Sequence, residues 1–212
     1  MKTTRAFGAI CALCALAIAG PAAGDSIGDC FSEDNERRIK GCSELIDLPG
    51  LDGGSKSLAY AMRALAYSLK GLYDRALPDY DLAVGLDPSS AIALNNRAWA
   101  LLKLKRPDKG LGDVERSITL SPGSPHAHDT RAHIHQALGE TGKALADYER
   151  AMRFGDKRFV KLYQCGLQAQ GLYLGSVDGF YTQDVRRAFE ACVEDRACDP
   201  LPADEECRSA MS

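Results

Sequence analysis

A concentrated positive face is missing from this chain. Lys and Arg number 26 against 29 Asp and Glu in 212 residues, and the basic residues are interleaved with acids. Nucleic acid is therefore excluded as the main partner, because phosphate binding needs clustered basic charge. Long apolar runs are missing too. The longest spans about Ala6 to Ala19, short of the ~20 residues that cross a bilayer, so no integral membrane segment is expected. Apart from Cys11 and Cys14 inside that apolar run, no two cysteines form a C-x-x-C pair, which speaks against a zinc knuckle or a thioredoxin-like redox site. No serine, thiol or basic residue completes a catalytic set around the four histidines. We therefore expect no enzyme, no cofactor and no metal. What remains, 45% hydrophobic and 26% charged, is ordinary globular usage and enough for a packed core.

Residues 1–24 read as a secretory signal. Lys2 and Arg5 precede the apolar run, and small residues follow up to Gly24. Cleavage near Asp25 would leave 24 basic against 29 acidic residues and place the protein in the periplasm. It would also remove Cys11 and Cys14, leaving Cys30, Cys42, Cys165, Cys192, Cys198 and Cys207. An even number in an exported chain favours disulfides.

A period of 34 residues fills the cysteine-free middle. Ala64, Ala98 and Ala132 share it, as do Arg63, Arg97 and Arg131. So do Ala76, Gly110 and Ala144; Ala83, Ser117 and Ala151; and Tyr80, Val114 and Tyr148. Small residues at fixed places beside one bulky position suit two closely packed antiparallel helices. Apolar residues recur at helical spacing, as in Leu58, Met62, Leu65 and Leu69. Breaks fall at Lys70-Gly71, Asp87-Pro88, Arg106-Pro107, Ser121-Pro122 and Gly139. Asp74 and Asp108 are expected to cap second helices, and Pro78 to make the start of its helix ragged.

With Tyr67, Gly71, Ala76, Tyr80, Ala83, Pro88 and Asn96-Arg97-Ala98 in phase, residues 57–158 resemble three tetratricopeptide repeats. The resemblance implies an all-α fold, a short solenoid of antiparallel helix pairs. Residues 25–56 would hold a capping helix, from about Glu33 to Asp47, and a linker. It also implies a concave surface, lined by the first helix of each copy, that binds peptide segments. Copy one would present Leu58, Ala61, Leu65 and Ser68; copy two Ile92, Asn95, Trp99 and Leu102; copy three His126, Asp129, His133 and Gln136. Trp99 is the candidate anchor, since an indole joins a large apolar area to a polar handle; packing against a neighbouring helix or the amino-terminal cap is the competing role. Leu58, Met62, His126 and Thr130 stand where a carboxylate-gripping member would carry basic residues, so an extended peptide or protein surface is expected instead.

All four histidines fall within residues 126–135. His126, Asp129 and His133 share a helix face at metal-ligand spacing, and the same spacing suits a plain polar face.

From Lys161 the pattern changes. Gln164-x-x-Leu167, then Gly171-Leu172-Tyr173-x-Gly175-x-x-Asp178-Gly179-x-Tyr181, reads as helix, glycine-rich loop and helix, with Thr182 capping the second. This segment resembles the core of the peptidoglycan-binding domain 1 family. That resemblance implies a helical hairpin within residues 159–212 and glycan contacts by Tyr173, Asp178 and Tyr181; a cap for the solenoid is the alternative.

Disulfide pairing follows from reach. A continuous helix from Cys30 to Cys42 would hold them roughly 18 Å apart, beyond the ~7 Å that a disulfide tolerates between α-carbons. They can pair only if residues 30–34 fold back, which Ser32, Asp34 and Asn35 permit. Cys192 and Cys198 flank the end of the last helix, and Cys165 is left for Cys207. The whole reads as an exported adaptor that binds a protein through its repeats, or a peptidoglycan-binding module.

Overall fold

The computed structural model describes residues 21–195, 197–201 and 207. The body of the expected signal, residues 1–20, lies outside them. Among the described residues there are ten α-helices and no strand. Helices α1 (Pro21–Cys30) and α2 (Asn35–Asp47) form a hairpin against the first repeat. The three repeats are α3 (Gly53–Leu69) with α4 (Tyr73–Leu86), α5 (Ala91–Lys103) with α6 (Pro107–Leu120), and α7 (Pro125–Leu138) with α8 (Thr141–Phe154). Helices α9 (Lys157–Ala169) and α10 (Gln183–Glu194) close the other end.

The 34-residue period is the packing plan of the core. Ala64, Ala76, Ala98, Ala132 and Ala144 are wholly buried, and Tyr80, Val114 and Tyr148 fill the space they leave. Gly110 has a steric reason to replace alanine in repeat two. A Cβ there would lie 2.9 Å from the Ala98 carbonyl oxygen and 3.2 Å from its Cα, so α5 and α6 approach through the missing side chain.

The periodic arginines serve an ion pair that the sequence reading saw only by half. In each repeat the guanidinium on the first helix grips an aspartate on the second. Arg63 holds Asp79 at 2.7 and 2.8 Å, Arg97 holds Asp113 at 2.6 and 2.8 Å, and Arg131 holds Asp147 at 2.7 and 2.7 Å. Two parallel charge-assisted bonds fix orientation as well as distance. Arg63 also reaches Ser43 on α2, and Arg97 reaches Asp81 in repeat one, each at 3.0 Å, so the pair clips one layer to the next.

Several local expectations need correction. Asp74 and Asp108 lie in the first turns of α4 and α6 but cap neither helix; the cap positions are Leu72 and Arg106, without a side-chain bond. The turns before them close through backbone, Leu72 N to Tyr67 O and Arg106 N to Leu101 O, both at 2.9 Å. Each acid is thus already inside its helix, near the positive end of the dipole, and Asp108 also lies 3.7 Å from Lys109 Nζ. Helix α4 runs unbroken through Pro78. Pro78 and Asp74, whose carbonyl loses its usual donor, both belong to exposed positions. The amino-terminal cap is two helices rather than one, and α3 begins at Gly53 rather than residue 57.

The three disulfides pair as the reach argument predicts. Cys30 and Cys42 have α-carbons 4.5 Å apart, Cys192 and Cys198 5.4 Å, and Cys165 and Cys207 5.7 Å. The fold-back occurs at residues 31–34, where Asp34 accepts from Arg37 N at 2.9 Å and starts α2.

Candidate functional site

Helices α3, α5 and α7 contact one another along one side of the stack, and their expected groove positions fall into two classes. In repeats one and two the face is open and apolar. Leu58 is 49% exposed and Ile92 74% exposed. Leu65, Asn95 and Trp99 are half-buried. Asn95 donates to Asn96 Oδ1 at 3.3 Å, while its own Oδ1 is buried and meets no donor among the described residues. Leu102 turns inward and packs on the cluster of Ala98, Val114, Ala127 and Ile134, a correction to its place in the groove.

Repeat three differs. Asp129, His133 and Gln136 are buried, because the segment after α10 lies over them. Gln136 Nε2 is within 3.2 Å of the carbonyl oxygens of Cys192 and Asp195 and 2.8 Å from that of Cys198. The Asp199 carboxylate sits 3.3 Å from His133 Nε2 and 3.6 Å from Lys103 Nζ. Lys103 in turn lies 4.5 Å above the Trp99 ring, and the edge of His133 meets the same indole at 5.3 Å between centroids. On its other side His133 Nδ1 approaches the backbone and carboxylate oxygens of Asp129 at 3.0 and 3.1 Å. Trp99 thus packs against His133 of the neighbouring first helix and under Lys103 while remaining half-buried. Asp129, His133 and Gln136 therefore do not line an open groove, since the chain itself covers them, and of the copy-three set only His126 is exposed.

The electrostatics follow from that geometry. Burial opposes charge on His133, but Asp129 and then Asp199 outweigh it and raise its pKa to about 10. Burial likewise opposes charge on Asp199, yet His133 and Lys103 hold it down at about 2. The imidazolium therefore donates from both nitrogens. The Tyr163 hydroxyl, kept protonated by burial, donates to Asp129 Oδ1.

A metal triad is not assembled. His126 turns to the edge of Phe159, centroids 5.4 Å apart, while His133 and Asp129 engage each other. Among the described residues no group of three His, Cys, Asp or Glu is arranged to hold an ion. His128 and His135 face α8, with ring nitrogens 3.6 and 3.8 Å from Asp147.

At the carboxy end, Gln164 is wholly buried and builds the loop. Its Oε1 accepts from Gly179 N at 2.7 Å, and its Nε2 donates to Asp178 Oδ1 at 2.9 Å and Phe180 O at 3.1 Å. Gly179 has φ +82, and a Cβ there would lie 2.7 Å from the Lys157 carbonyl oxygen, so only glycine fits. Of the three glycan candidates Tyr173 is buried, Tyr181 half-buried and Asp178 exposed. Tyr173 is buried and donates to Ser176 O at 3.0 Å. Asp178 Oδ1 also accepts from Phe180 N at 2.9 Å, and Tyr181 packs toward Phe189 with its hydroxyl buried. The loop also offers Ser176 and Asp178 to solvent, beside two large apolar side chains, Leu174, 94% exposed, and Phe180, 54% exposed.

Lys103 and Asp199 were missed by the sequence reading. Lys103 lies four residues after Trp99, hence on the same helix face, which was the available signal; nothing local marks Asp199.

Residues 58–90 match the tetratricopeptide repeat family model. The solved structure of YrrB, described as a TPR protein with an unusual peptide-binding site, shares 17% identity over 90% of each chain with a TM-score of 0.55. MamA from Desulfovibrio magneticus RS-1, residues 41 to the end, shares 18% identity over 72% of this chain and 86% of that one, with a TM-score of 0.57. No curated protein matches. At these identities the likeness is one of fold: the chain shares the helical-solenoid fold of these structures, and its residues 58–90 match a tetratricopeptide repeat.

Proposed function

We propose that the protein is an exported, non-catalytic adaptor that holds a protein partner on the inner face of repeats one and two. The observation that carries this reading is the exposure of Leu58 and Ile92 beside half-buried Leu65 and Trp99 on adjacent first helices. Apolar side chains flanked by a buried, unpaired amide oxygen at Asn95 suit an extended peptide, whose backbone N–H would supply the missing donor. The peptide-binding site named for YrrB supports the same use of the fold. Export to the periplasm rests on the n-region, apolar run and small residues of positions 1–24 and on three disulfides.

The test is a photocrosslinking residue at Ile92 in cells, with Leu82 on α4 as the control. Adducts at Ile92 that are missing at Leu82 are expected; equal labelling, or none at Ile92, would overturn the reading. Intact-mass analysis should find a chain beginning near Asp25. A second reading, peptidoglycan binding by the terminal hairpin, is favoured by the exposure of Leu174 and Phe180 on one loop. Sedimentation with purified sacculi tests it, and a protein that stays in the supernatant would leave the hairpin as a cap.

A further inference from the structure

The segment that covers repeat three is held as a ligand is held. Its backbone carbonyls are collected by one side-chain amide, Gln136 Nε2, and its Asp199 carboxylate lies between two cations. Pro200, the next residue, is fully buried. We propose that the Lys103, Trp99 and His133 cluster is a recognition site for an extended acidic peptide of a partner, an aspartate followed by an apolar residue, which Asp199-Pro200 occupies as a displaceable internal stand-in.

Charge supports that choice of occupant. With Asp199 withdrawn, Lys103 and a protonated His133 would face only Asp129, leaving one positive charge uncompensated beside an indole. The cation left without a partner is Lys103, one third exposed over the Trp99 ring, so the vacated site calls for an anion. A neutral or basic segment would not restore the balance.

Displacement is supported by the geometry. The Asp199 side chain is 48% exposed, and its contacts of 3.3 and 3.6 Å are longer than the 2.6–2.8 Å bonds of the repeat ion pairs. What favours the internal segment is its tether. The Cys192–Cys198 disulfide closes a six-residue step from the end of α10, which keeps Asp199 at high effective concentration without strong contacts. The open inner face of repeats one and two continues from the same Trp99, so a partner seated there has its next residues beside the clasp. This inference rests on the proposed use of that face.

The experiment uses the full mature chain and its one tryptophan, Trp99, as the reporter. The probe is a blocked peptide copying residues 197–201 with serine for Cys198, and the same peptide with asparagine for the aspartate. In Asp199→Ala, the aspartate peptide should change Trp99 emission saturably, at a concentration at least about tenfold below that for the intact chain. The asparagine peptide should be at least about tenfold weaker, and adding Lys103→Ala should abolish the response. Circular dichroism and light scattering check that each variant is folded and monomeric; both substitutions lie at partly exposed positions. No saturable change in folded Asp199→Ala, equal response to both peptides, or a dimer of the intact chain that exchanges the segment would overturn the proposal. If Ile92 captures a partner while the peptides do nothing, this inference fails and the adaptor reading stands; the reverse result separates them the other way.

Discussion

Repeats two and three share a backbone plan, a buried small residue on each facing ridge and a bidentate Arg–Asp pair, yet their inner faces end in opposite conditions. The face of α5 is apolar and open at Ile92, whereas α7 carries Asp129, His133 and Gln136 and is covered by Cys192, Asp195, Cys198 and Asp199. Because the scaffold is common to both, what differs is only which side chains it displays. A solenoid needs its end layer covered, and here a polar inner face recruits a tethered carboxylate and three backbone carbonyls as that cover. The lesson is that groove polarity in a repeat array reports where the chain has bound itself as much as where a partner binds.

The largest expected effect tests whether repeat three is also the more tightly coupled layer. Asp147 is buried and meets Arg131, Arg150 at 2.9 Å, and the rings of His128 and His135. Asp147→Ala should cost about 3–5 kcal/mol, because it strands a buried guanidinium. Asp113→Ala, at the more accessible pair of repeat two, should cost about half as much. Equal shifts in urea midpoint would erase the distinction.

Next comes Gln136→Leu. It removes the donor to three carbonyls and the acceptor that Tyr148 uses at 2.9 Å inside the core. A loss of about 2–3 kcal/mol is expected, with faster hydrogen exchange confined to α7, α10 and the covering segment. Uniform acceleration through repeats one and two would contradict a local clasp.

A smaller effect should appear with pH. His133 is raised to about 10 by its two aspartates, so its stabilisation is complete below the ordinary histidine value near 6.5 and fades as pH climbs to about 10. Asp199 is held at about 2, so its share is complete above the ordinary value of 3.8 and fades as pH falls toward 2. Denaturation midpoints should therefore be highest between roughly pH 4 and 6.5, and His133→Gln should flatten the alkaline limb. Ile92→Ser should have the smallest effect on stability, under about 0.5 kcal/mol for an exposed site, while abolishing the adducts formed by a photocrosslinking residue placed at exposed Leu58 on the same face. A large drop in melting temperature would place Ile92 in the core.

The reading of three helix pairs from alanines and arginines 34 residues apart, and of the disulfide pattern from cysteine placement, needed only local rules, because helix period and covalent reach act over short stretches of chain. Thr182 and Gly171 were legible as helix boundaries for the same reason. The caps assigned to Asp74 and Asp108 failed because helix starts were set by the backbone closure of the preceding turn, which residue type alone does not reveal. The second amino-terminal helix was hidden where small residues read as the end of a leader.

Fold class and register are written along the chain, because periodicity and steric size belong to it before it folds. Which groove positions face solvent depends on contacts made in space, since Asp199 lies 66 residues beyond His133 and no local pattern states that they meet. The same holds for the pKa values that lock the clasp, because desolvation and Coulomb energy depend on distance in space and not along the chain.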